Sequence, residues 1–132
     1  MQAPGRVRLF LPEMTKMRAV QVSAVGDISA LKLVELKVPK VEPKQLLIRN
    51  EFCGVNFIDT YHRSGLYFME LPFIPGRYLV LIREASGIVE MVGDEVVGFQ
   101  KGDRVAYLSS STYSEYSVTD TSKFLMNIRV CG

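Results

Sequence analysis

The chain is poor in metal-binding and cross-linking side chains. It has 132 residues, one histidine and two cysteines. Cys53 and Cys131 show no framework spacing, so a disulfide scaffold is excluded and a reducing, cytoplasmic setting is expected. Cys53 falls in an apolar strand pattern and reads as a buried thiol rather than a nucleophile. No basic cluster stands out, and a net charge of +2 calls for neither nucleic acid nor a membrane surface. No apolar run is long enough to span a bilayer. No Gly-x-Gly-x-x-Gly joins a strand to a helix, so no dinucleotide-binding βαβ unit, and hence no Rossmann domain, is expected in this chain. No long amphipathic helix is expected before residue 70.

What is present is a string of short β-prone segments. Hydrophobic residues make up 48% and charged residues 23%, as in an ordinary globular domain large enough for a core. Residues 1–16 read as a poorly ordered leader, with Arg6, Arg8 and Lys16 around Leu9-Phe10-Leu11. A mitochondrial presequence is the alternative, because no acid precedes Glu13. Beyond it, Val20 and Val22 alternate with Gln21 and Ser23, and Leu31 to Val38 forms a second strand. Gln45 to Cys53 is a third, with Leu46 and Ile48 on one face and Leu47 and Arg49 on the other. Further strands are expected at Ile88–Val92, Arg104–Leu108 and around Tyr113–Val118, separated by Gly-Asp turns. Residues 120–132 show no clean period. The pattern predicts a mainly β barrel or sandwich with short helical turns.

Residues 54–67, Gly-Val-Asn-Phe-Ile-Asp-Thr-Tyr-His-Arg-Ser-Gly-Leu-Tyr, concentrate the polar chemistry. Asn56 is a good N-cap residue, which puts Asp59 at the third helical position. Gly65 suits a left-handed helix end. At about 100° per residue, Phe57, Ile58 and Tyr61 share one arc, while Asn56, Asp59 and Arg63 share the other. Two readings stay open: a capped surface helix with a buried tyrosine, or a turn whose polar face looks into a cleft. His62 alone makes no ligand set.

The same stretch resembles the signature of quinone oxidoreductases, the zeta-crystallin-like branch of the medium-chain dehydrogenase/reductase superfamily. The likeness continues in order through Pro-Gly-Arg at 75–77, Glu-Ala-Ser-Gly at 84–87 and Val-Gly-Asp at 92–94. Gly-Phe at 98–99, Gly-Asp-Arg-Val at 102–105 and Ser-Thr-Tyr-Ser-Glu-Tyr-Ser at 111–117 complete it. It covers roughly residues 17–119. The resemblance implies a GroES-like, partly open β-barrel that serves as the catalytic domain, and NADPH-dependent reduction of quinones. It implies catalytic roles for Asn56, Tyr61 and Tyr67, and cofactor contacts from Asn56, Asp59 and Tyr61. It also implies a zinc-free site, because zinc-dependent relatives place cysteine where Asn56 stands and histidine where Arg77 follows Gly76. Complete members dimerise through a nucleotide-binding domain that this chain is not expected to contain.

Two segments depart from the resemblance. Its Gly-Arg-Glu-Ala-Ser-Gly is split here by six residues, Tyr78–Arg83 or Arg77–Ile82, and residues 120–132 look foreign to it. The insert is expected to loop out or extend an edge. The chain alone is expected to be inactive. Other classes with the same barrel are a co-chaperonin-like ring subunit and an RNA-binding module, the latter without a basic aromatic stripe to support it.

Overall fold

The computed structural model describes residues 16–76, 83–123 and 125–128. Most of the expected leader and, with either of its two bounds, most or all of the six-residue insert therefore lie outside the described residues, so the expectation that the insert loops out or extends an edge lies outside them too. Strand β1 (Lys16–Val22) pairs antiparallel with β2 (Leu31–Lys37). Between them, Asp27 accepts a hydrogen bond from the Ser29 amide and starts a single 3-10 turn at Ile28–Ala30. The burial phase of β1 differs from the expected one. Met17, Ala19 and Val22 are buried, and Val20 is only half-buried. The alternation slips where the outer edge of β1 changes partner, from Ser114 at Ala19 to Phe73 at Val22.

The main sheet contains β3 (Gln45–Cys53), β4 (Arg83–Val92), β5 (Arg104–Ser109), β6 (Tyr116–Asp120) and β7 (Leu125–Asn127). Their order is β6-β3-β4-β5-β7, and every neighbouring pair is antiparallel. Strand β7 falls in the tail that lacks a readable period, because three residues are too few to show one.

The sheet is rolled. β5 and β6 are separated in the sheet by β3 and β4, yet Ser109 Oγ on β5 donates to Val118 O on β6 at 2.8 Å. This curl makes the domain a partly open, mainly β barrel, as the resemblance implies. Leu46, Ile48, Ala85, Val89, Val105 and Tyr107 form its core. Leu47 was expected on the other face from Ile48. It is buried too, outside the cluster that holds Leu46 and Ile48, so both faces of β3 are covered at this point.

A polar network closes the barrel interior. Tyr107 donates its phenolic hydrogen to Asn50 Oδ1, and Asn50 Nδ2 donates to Ser117 Oγ at 2.9 Å. Burial pushes the Tyr107 phenol up to about 12, so it stays a neutral donor. Asn50, Tyr107 and Ser117 belong to three different strands, so the network fixes their relative register.

The loop before β6 is clamped to β1. Arg18 Nε and Nη2 donate to Glu115 Oε1 at 2.9 and 2.6 Å, and Arg18 N donates to Glu115 Oε2 at 2.7 Å. These hydrogen bonds, aided by the guanidinium charge, hold the Glu115 carboxyl below its ordinary range. Its stabilising effect is therefore present above the unfolded carboxylate value and is lost as pH falls through the depressed folded value. Both side chains reach solvent, which keeps the effect small. Glu115→Gln should lower the melting temperature slightly at pH 7, with the gap to the parent closing in acid. A gap that persists well below the carboxylate range would contradict this assignment.

Candidate functional site

The turn at 54–67 is built by contacts from two distant strands. Gly54 N donates to Glu84 O at 2.8 Å, so the end of β3 stays locked to the start of β4. The Glu84 side chain lies directly over Gly54. A Cβ added there would sit 2.1 Å from Glu84 Oε1, so a side chain at 54 would push the Glu84 carboxylate aside.

Helix α1 (Ile58–Ser64) starts one residue later than a cap at Asn56 would require. The residue before it, Phe57, already has helical backbone angles and makes no side-chain cap. The expected N-cap role of Asn56 is therefore corrected. Asp59 provides the end contact instead: its Oδ2 accepts from the Asn56 backbone N–H at 2.9 Å. The side chain of Asn56 turns to Glu84, with Nδ2 3.4 and 3.5 Å from the two carboxylate oxygens. At the other end Gly65 takes φ 82°, as the left-handed stop requires.

The two faces of α1 also differ from the helical-wheel reading. Asp59 and His62 are buried, whereas Phe57 is 75% exposed. The physical reason is hydrogen bonding: Asp59 Oδ2 also accepts the phenolic O–H of Tyr113 at 2.9 Å, which offsets the cost of burying the carboxylate. Arg63 does not look into a cleft either. Its Nη1 donates to Gly26 O at 2.9 Å and ties α1 to the β1–β2 turn.

Three aromatic rings line up on the exposed side. Phe57 meets Tyr61 edge-on at 5.3 Å between centroids, and Tyr61 meets Tyr67 edge-on at 5.4 Å. Tyr67 is 46% exposed, and its backbone N–H donates to Tyr61 O at 3.2 Å. His62 is a packed residue beneath them, with its ring 6.2 Å from that of Tyr67. Neither of two surface hollows is lined by Asn56, Tyr61 or Tyr67. One of about 500 Å³ lies at Gly98–Gln100, Asp103 and Asn127, and one of about 460 Å³ follows Asn50–Cys53 and Thr112–Glu115. Among the described residues, the candidate residues form an open shelf.

The position of Cys53 differs from the expected one: the side chain is exposed, not buried. Its neighbour Phe52, pointing to the opposite face, is 71% exposed, so no layer among the described residues covers this end of β3. Partial desolvation and, less so, the Asp59 charge push the Cys53 thiol up, which disfavours the reactive thiolate. Among the described residues, no group of three or more His, Cys, Asp or Glu side chains is arranged to hold a metal ion. No described helix is long and apolar enough to cross a membrane.

Asn56 and Asp59 are thus joined through backbone and carboxylate, and Tyr61 and Tyr67 through their rings. Glu84 and Tyr113 join the site without having been singled out. Both stand inside motifs already noted, Glu-Ala-Ser-Gly and the 111–117 run, but no local spacing tells that they reach residues 54–59.

With this geometry in place, the match to known proteins is specific. Residues 42–132 match the alcohol dehydrogenase GroES-like domain. The chain belongs to that family. It is 44% identical over 105 residues to a probable quinone oxidoreductase of Schizosaccharomyces pombe, covering 78% of this chain and 30% of that protein. It is 41% identical over 107 residues to the human quinone oxidoreductase, covering 77% of this chain and 31% of that one. Among solved structures, the Escherichia coli quinone oxidoreductase complexed with NADPH superposes with a TM-score of 0.74 at 31% identity, covering 85% of this chain and 33% of that chain. The chain therefore spans about a third of the length of the relatives it matches. The matched range includes the segment 120–132.

Proposed function

We propose that this chain forms the quinone-facing wall of a zinc-independent, NADPH-dependent quinone reductase. The observation that carries the reading is the shelf itself, where the Asn56 carboxamide, beside Glu84 and held at its backbone by Asp59, shares a turn with the exposed rings of Phe57 and Tyr67 and the half-buried ring of Tyr61. Aromatic edges and faces suit a flat, conjugated substrate. A carboxamide nitrogen has two hydrogens. Glu84 engages one, and the second is available to a quinone oxygen, which gains negative charge as the ring is reduced. The tyrosine phenols supply further donors at the same edge. Asp59 acts from below by holding the Asn56 backbone, so its part is positioning, not cofactor contact.

NADPH would supply hydride when bound. The described residues do not fit its phosphates: α1 is seven residues long and has Asp59, an anion, in its first turn. The similarity to quinone oxidoreductases, one of them solved with NADPH, supports NADPH as the donor in the complete protein. The donor set supports zinc independence: an amide stands at position 56, and His62 is packed against Tyr67. A reducing compartment fits the exposed thiol of Cys53.

Titration of the chain with 1,4-naphthoquinone, followed by NMR, tests the shelf. Saturable shifts should concentrate on the Asn56 side-chain amide and the Tyr61 and Tyr67 rings. Shifts centred on the hollow at Gly98–Gln100, or none at all, would overturn the assignment.

A further inference from the structure

We infer that Tyr113 is a positioning residue for Asn56, acting across the fold through Asp59. The inference rests on the reading of Asn56 as the residue that meets the substrate. Asp59 Oδ2 accepts two hydrogen bonds, one from the Asn56 backbone N–H and one from the Tyr113 phenol, each at 2.9 Å. The phenol comes from a segment 54 residues away in sequence. That segment is fixed from both sides. Val20 N donates to Tyr113 O at 2.9 Å, and Tyr113 N donates to Pro75 O at 3.3 Å. Two residues on, Glu115 N donates to Arg18 O at 3.0 Å, beside the Arg18–Glu115 side-chain clamp.

A carboxylate on a two-bond side chain can rotate unless its oxygens are held. The phenol holds Oδ2 in the orientation that Asn56 N–H needs, in a buried setting where a charge-assisted bond is strong. Asn56 is then anchored at its backbone by Asp59, which places its carboxamide beside Glu84. Such restraint lowers the ordering cost when a ligand arrives. Asp59 and Tyr113 are thus one device.

Tyr113→Phe tests it, because the ring stays and only the O–H donor is removed. Amide hydrogen exchange should be compared at Asn56 and at Val89, a core residue, in the 132-residue chain and its variant. Loss of a hydrogen bond to a charged group should speed Asn56 exchange on the order of tenfold, with Val89 within about twofold. Unchanged exchange at Asn56, or equal acceleration at both sites, would overturn the inference. A 1,4-naphthoquinone titration adds a second readout: half-saturation of the Asn56 side-chain shift should require several-fold more quinone in the variant. Equal half-saturation in parent and variant would also overturn it. If the parent itself shows no quinone shift, the substrate reading fails, and the exchange comparison still decides whether Tyr113 positions Asn56.

Discussion

The 132-residue chain titrated with NADPH in a calorimeter is expected to bind no better than millimolar. The shelf presents rings and an amide to a nicotinamide, but the pyrophosphate and ribose phosphate require backbone donors at a helix start and a basic side chain. At the start of α1 the Asn56 N–H is already taken by Asp59, whose own charge opposes a phosphate there. Arg63 is committed to Gly26 O. Charge-assisted hydrogen bonds contribute roughly 1.5–3 kcal/mol each, so lacking about three removes on the order of 4.5–9 kcal/mol. At about 1.4 kcal/mol per decade, binding weakens roughly 10³- to 10⁶-fold. Saturable micromolar binding, or quinone-dependent NADPH oxidation that survives repurification, would refute this.

The second large effect concerns Asn56→Ala in a complete version of the protein, with a nucleotide-binding half restored. Turnover should fall about 10²-fold or more, the usual loss when a positioned transition-state donor is removed. Stability should hardly change. Asn56 caps no helix through its side chain, and the bond it gives to Asp59 comes from the backbone, which alanine retains. The side-chain hydrogen bonds that alanine removes, those to Glu84, are long and exposed. A melting temperature within a few degrees of the parent, together with the rate loss, separates chemistry from folding. Turnover within twofold of the parent would leave Asn56 with a structural part only.

Much of the barrel is readable because its signals are local. Alternation and Gly-Asp turns locate β5 and β6 to within a few residues, whereas β4 starts at Arg83, well before the expected Ile88; Gly65 ends α1 as its lack of a side chain permits. Local signals mislead where neighbours decide. Helical spacing puts Asp59 on the polar face, but the Tyr113 phenol offsets the cost of its burial. Strand alternation puts Cys53 inside, but no described layer covers the end of β3. Leu46, Leu47 and Ile48 are all buried because both faces of β3 are covered there, which no single-strand alternation encodes.

The sequence by itself therefore determined the mainly β class, the order of the strands along the chain, and the stretch that carries Asn56, Tyr61 and Tyr67. Each depends on residues within a few positions of one another. The tertiary structure alone decided which distant groups meet: Glu84 over Gly54 and beside Asn56, Tyr113 on Asp59, and Asn50 with Tyr107 and Ser117 inside the rolled sheet. Those meetings depend on sheet order and curl, set when β6 pairs with β3 and β5 with β4. Strand pairing is a long-range choice, made by burial and hydrogen-bond satisfaction over the whole domain, and no short window of sequence contains it.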